Sequence, residues 1–227
     1  MIKRFKHPSN RTVNAIKIVL FLLCLVPLAK LVALGAMGEL GADPAAAATR
    51  ATGIWTLNFL LLTLTVTPLR KLTGWQWLAR LRRIVALYSF FYACLHLGTY
   101  VVFDQFFDWP GILKDIGKRP YIAAGFFAFV LLVPLAITST DGMMRRLGGK
   151  RWQELHRLVY LIAIAGVFHY FWLVKRDVTG PAWYILALCA LLCLRMLGGR
   201  KRTRATPPLP ASSGAGASSA VSQATRK

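Results

Sequence analysis

Acidic side chains and cysteines are both scarce in this chain: eight Asp and Glu and four Cys among 227 residues. The cysteines, Cys24, Cys94, Cys189 and Cys193, fall inside long apolar runs, where neither a disulfide framework nor a Cys-x-x-Cys metal site is served. They read as small core residues. The acids stand outside the apolar runs, so no buried carboxylate is on hand for a proton relay. Internal repeats are missing. After Leu197 only a basic stretch and a tail of Pro, Ser and Ala remain, too little for a second folded domain.

Apolar and basic residues dominate instead. The chain is 56% hydrophobic, with a mean hydropathy of +0.50, too apolar for a soluble domain of this size. Its net charge of +21 suggests nucleic acid only if the basic residues form one patch on a soluble surface. They are clustered between the apolar runs, as in a multi-pass membrane protein, and no nucleic acid is expected as a partner.

Six runs approach the roughly 20 residues needed to cross a bilayer: about 16–36, 54–69, 84–103, 120–138, 157–174 and 181–197. The predicted fold is therefore all-α, a six-helix transmembrane bundle in the lipid bilayer. Alternating the loops between two sides puts 22 of the 29 Lys and Arg together, in 1–17, 70–83, 139–157 and 195–227. Six of the eight acids fall on the opposite side: Glu39, Asp43, Asp104, Asp108, Asp115 and Asp177. The positive-inside rule then places both termini in the cytoplasm. Three segments are expected: a basic cytoplasmic N-terminus at 1–17, a transmembrane domain at 18–200, and a disordered cytoplasmic tail at 201–227. A cleaved signal peptide is the competing reading of the first run, and five further spans argue against it. The segment 104–120 mixes Phe, Trp and charge, and reads as a short interfacial helix.

Ionisable residues within a bilayer are costly and usually functional, which singles out the histidines. His96 lies in the third run, His169 in the fifth, and His156 at the entry to the fifth; His7 belongs to the solvated N-terminus. From Arg83 to His96, and from His156 to His169, the chain advances 13 residues, or about 20 Å of helix. His96 and His169 thus share a depth beyond the midplane. Two neutral imidazoles facing each other from separate helices are able to fill both axial positions of one heme iron, or to serve as polar contacts between helices; the residues alone leave both readings open. Gly166 and Ala165, one turn before His169, are small enough for a flat macrocycle to approach. On a straight helix His156 points about 140° away from His169. Only a π-bulge, or a helix beginning after His156, brings the two into line.

The order and spacing of several motifs carry a specific resemblance. GADP at 41–44, TPL at 67–69, LHLGTY at 95–100, RPY at 119–121, TST at 138–140, RRLGGKRWQELHRLVYL at 145–161 and HYFWLVK at 169–175 cover the chain up to about Arg200. With them the chain resembles the heme-binding membrane subunits of bacterial periplasmic methionine sulfoxide reductase systems, within the ferric reductase-like transmembrane family. The resemblance implies an inner-membrane electron carrier that binds heme b. It takes electrons from the quinone pool and passes them to a periplasmic molybdenum-containing subunit that reduces methionine sulfoxide in oxidised envelope proteins. FMN binding is also implied, without a flavin signature in the sequence. Oxidase and reductase relatives hold two stacked hemes with two histidines on each of two helices. Here the place about four turns before His96 is Arg82, which stays protonated and cannot ligate iron. His156 then matches one ligand of a second, inner heme and lacks an evident protein partner. Electrons are expected to enter on the cytoplasmic half, near Arg82, Arg83, Lys150, Arg151 and His156, and to leave by the His96/His169 site. A free-standing ferric reductase-like protein and a heme-free transport or assembly protein are the alternatives.

Overall fold

The computed structural model describes residues 8–174 and 177–204, of which 197–204 are described by backbone alone; every regular element among them is helical. His7, Lys175, Arg176 and residues 205–227 of the tail expected at 201–227 lie outside the described residues, whereas 201–204 continue the last helix rather than starting a disordered tail. In chain order the elements are α1 (Asn10–Ala36), α2 (Pro44–Thr73), α3 (Leu78–Thr99), a π-helical turn (Tyr100–Asp104), α4 (Trp109–Lys118), α5 (Pro120–Ile137), α6 (Asp141–Leu147), α7 (Gly149–His156), α8 (Leu158–Leu173) and α9 (Thr179–Arg204). Among the described residues six stretches are long and apolar enough to cross a membrane, with α7 and α8 together forming the fifth. The expected six-helix membrane bundle is thus the observed fold.

Local chemistry sets the helix limits. α2 starts well before its apolar run because the Asp43 carboxylate caps it, accepting from the Ala46 amide at 3.0 Å, and Pro44 suits the first helical position. The alanines that follow are strong helix formers. α4 is the short helix foreseen between the third and fourth spans. Gly148, at φ 74°, separates α6 from α7.

The closest helix pairings are α2 with α3 and α5 with α8. Leu60, Leu64, Leu132, Ile162 and Ala163 from these elements are almost wholly buried and form the main core. α1 packs outside it, tied by Tyr92. The Tyr92 hydroxyl donates to the Cys24 carbonyl and accepts from the Leu28 amide, both at 3.0 Å, so it sits within an i to i+4 step of the α1 ladder spanning Pro27. Of the four cysteines only Cys24 is a core residue; Cys94, Cys189 and Cys193 lie on the outside of the bundle, correcting the expectation that all four pack inside. In a membrane protein an apolar thiol is stable against lipid as well as against protein, so burial does not follow from its place in an apolar run.

Candidate functional site

His96 and His169 come together from α3 and α8, with ring centroids 6.0 Å apart and planes inclined at 75°. Each ring is held by the same device on the partner helix. The His96 Nδ1–H donates to the Thr49 carbonyl of α2 at 2.9 Å, and that of His169 donates to the Tyr121 carbonyl of α5 at 2.6 Å. A carbonyl only accepts, so each Nδ1 carries the proton and each Nε2 presents its lone pair. Neither Nε2 makes a hydrogen bond among the described residues.

Four residues beyond each carbonyl stands a glycine that makes room for the ring. A Cβ at Gly53 falls 3.0 Å from His96 Cε1, and one at Gly125 falls 2.8 Å from His169 Nδ1. Thr49 and Gly53, like Tyr121 and Gly125, are one helical turn apart, so each imidazole lies against one stripe of its partner helix. Sequence reasoning missed both glycines. The spacing of carbonyl and glycine was the available signal, but only the cross-helix pairing gives it meaning. Gly166, singled out beforehand, does something else: a Cβ there meets Leu57 Cδ2 at 3.1 Å, so it serves the packing of α8 on α2.

This arrangement fits a metal held between two imidazoles. Carbonyl-anchored Nδ1 groups are the usual means of fixing the tautomer and orientation of a ligating histidine. No cluster of three or more His, Cys, Asp or Glu side chains able to hold a metal is found among the described residues. The donor set is two imidazoles on opposed helices, which suits the two axial positions of a heme.

His156 stands apart. It closes α7, and α8 begins after Arg157, so the helix break expected as one way to align it with His169 is present, yet His156 lines a cavity that His169 does not reach. The His156 Nδ1–H donates to its own helix, to the Trp152 carbonyl at 3.0 Å, and the ring stacks on Trp152 at 3.9 Å. The Trp152 indole N–H in turn donates to the Thr138 carbonyl at 2.9 Å, fixing α7 against the end of α5. The His156 Nε2 is buried without a hydrogen-bond partner. His156 lines a cavity of about 270 Å³ together with Arg82, Arg83, Thr140, Met144 and Trp152. Arg83 pairs with Asp141 at 2.7 Å, whereas Arg82 makes no hydrogen bond or ion pair with the described residues. Arg82 also feels the charges of Arg195 and Arg70. Arg195 reaches the Leu64 carbonyl at 2.7 Å and the Tyr160 hydroxyl, and its Nε is buried without a partner. Cations thus gather at this end with Asp141 as their one paired carboxylate among the described residues. Neither His96 nor His169 lines the cavity.

Known proteins are similar to this chain over most of its length. Residues 49–167 match the family model described as the ferric reductase like transmembrane component. The chain is 54% identical to the protein-methionine-sulfoxide reductase heme-binding subunit MsrQ of Azospira oryzae over 207 residues, covering 88% of this chain and 89% of that protein. It is 52% identical to the MsrQ subunit of Herminiimonas arsenicoxydans, over 84% of this chain and 88% of that one. For the Ralstonia nicotianae subunit the identity is 49%, over 82% and 87%. No solved structure matches.

Proposed function

We propose, for a chain that belongs to the ferric reductase-like transmembrane family and within it to the MsrQ heme-binding subunits, that it is the membrane electron-transfer subunit of a methionine sulfoxide reductase system. Its donor is the quinone pool of the inner membrane. Its acceptor is a periplasmic molybdenum-containing subunit that reduces methionine sulfoxide in envelope proteins. The observation that carries this reading is the His96/His169 pair, two imidazoles from separate spans whose Nδ1 protons are both anchored and whose Nε2 lone pairs are both free.

His96 and His169 would hold heme b, which would supply reversible one-electron chemistry there. The chain's own residues do the rest. Thr49 and Tyr121 keep each ring in one tautomer, while Gly53 and Gly125 admit the rings between helices. Leu60, Leu132 and Ile162 belong to the buried apolar core of the bundle. His156 offers one further imidazole at the Arg82 cavity, and no second histidine lines that cavity, so a second heme there needs a different second ligand. Arg82, Arg83 and His156 favour electron entry at that end. The charge asymmetry of the loops supports a cytoplasmic position for it and for both termini.

The test is the absorption of the purified protein from heme-replete cells. Reduced-minus-oxidised bands of bis-histidine heme b are expected, lost in His96→Ala and in His169→Ala. A colourless wild-type protein would sink the reading. Heme per polypeptide in wild type and His156→Ala decides the count: a ratio near one in both removes His156 as a required ligand. Sidedness is read separately, by fusing a reporter active only in the cytoplasm after Lys227.

A further inference from the structure

The segment between α3, which carries His96, and α5, whose Tyr121 carbonyl holds His169, is gathered on one carboxylate. Asp115 sits on α4, and although α4 lies at the edge of the bundle its side chain is only 16% exposed. Three donors converge on it. The Tyr100 hydroxyl and the Gln105 amide donate to Oδ2 at 3.2 and 3.1 Å, and Arg119 Nε approaches Oδ1 at 3.3 Å.

Two of these donors lead directly to the histidines. The Tyr100 amide is hydrogen-bonded to the His96 carbonyl, so its ring rises from the turn that follows His96. Arg119 is the residue from which α5 starts, and its amide is bonded to the Asp115 carbonyl at 2.9 Å. Two residues on is Tyr121, whose carbonyl takes the His169 Nδ1–H at 2.6 Å and whose ring lies 6.5 Å from the imidazole. The segment is also held away from relaxed geometry. Phe106 and Phe107 adopt φ of 45° and 63°, left-handed values that bulky residues keep only where their surroundings impose them. The Phe107 amide bonded to the Val101 carbonyl and the Gln105 amide bonded to the Tyr100 carbonyl close the loop back on the end of α3.

We propose that Asp115 is a positioning residue for the His96/His169 pair. It braces the 100–119 segment so that the end of α3 and the start of α5 keep a fixed separation, which in turn keeps the Tyr121 carbonyl in place to orient His169. Asp115 touches neither imidazole, and its action passes through Tyr100 on one side and through Arg119 and Tyr121 on the other. The proposal rests on heme ligation by the two histidines and adds to it the residue that sets their mutual geometry.

The experiment uses the full-length protein with its heme, in wild type, Asp115→Ala, Asp115→Glu and Lys114→Ala, an exposed neighbour on the same helix. Midpoint potential and the low-spin electron paramagnetic resonance (EPR) signal are read together with heme content. Asp115→Ala is expected to retain heme, to broaden or shift the EPR signal, and to change the reduced-to-oxidised ratio at fixed poise about tenfold, or about 59 mV for a one-electron couple. Asp115→Glu is expected to recover most of that change and Lys114→Ala to show none. If Asp115→Ala does not assemble, Tyr100→Phe removes a single hydroxyl and is expected to shift the same two readouts in the same direction. A potential and EPR signal equal to wild type in a heme-loaded Asp115→Ala or Tyr100→Phe protein would overturn the proposal. Absence of low-spin heme from the wild type would instead overturn the ligation reading beneath it.

Discussion

The two ends of the bundle each present histidine, but they present it differently. At the α4 end, two imidazoles from α3 and α8 are each locked by a carbonyl from another helix and admitted by a glycine one turn further along. At the α6–α7 end, a single imidazole is locked by its own helix, beside a cavity and an arginine with no partner among the described residues. The first arrangement is complete as a two-ligand site, because both free nitrogens belong to the protein. The second is half of a site, with one buried Nε2 whose hydrogen-bonding capacity the protein leaves unmet. A buried polar atom without a partner costs about 1–3 kcal/mol. That cost is tolerated where a ligand later meets the atom, so the contrast separates a structure-defining pair from a residue poised for something it does not itself supply.

Several substitutions break or sharpen this contrast. The largest effect is expected from His96→Ala or His169→Ala, either of which removes a proposed heme ligand and is expected to abolish the low-spin absorption, while His156→Ala is expected to leave that spectrum in place. Next comes Gly125→Ala. Its methyl lies 2.8 Å from a ring atom that is itself fixed to a backbone carbonyl, so the ring must shift, at a cost of about 1–3 kcal/mol. A severalfold loss of heme retention is expected, and Gly53→Ala, at 3.0 Å, should lose less; heme titration of the apoproteins measures both. Tyr92→Phe is expected to cost about 0.5–1.5 kcal/mol by freeing α1 at Pro27, read as a lower melting temperature with the heme spectrum unchanged. The smallest effect belongs to Asp141→Asn. Its ion pair with Arg83 is exposed, 67% and 44% respectively, so at most about 1 kcal/mol is expected in the same melting assay.

Much of this was legible in the sequence, for reasons that also explain what was not. The six spans follow from length and hydropathy, and the pairing of His96 with His169 follows from matched depth along two helices of the same direction. α2 was underestimated because its first turns are built from a cap, a proline and alanines rather than from strongly apolar residues. The break after His156 was expected, but the alignment with His169 that it was meant to bring about is not seen, and the π-helical turn after His96 was not anticipated. The glycines at 53 and 125 were invisible because a helical glycine acquires its role from what lies across the interface, which no single-helix periodicity encodes. Gly166 was misassigned for the same reason, being near His169 in sequence but facing Leu57 in space.

The central claim is that one bis-histidine site, His96 with His169, exists independently of His156. The most direct measurement is the EPR spectrum of oxidised His156→Ala protein purified from heme-replete cells. A low-spin six-coordinate heme signal is expected there, abolished when either His96→Ala or His169→Ala is added. A signal that survives both additions, or that vanishes with His156 alone while the protein remains folded, contradicts the account.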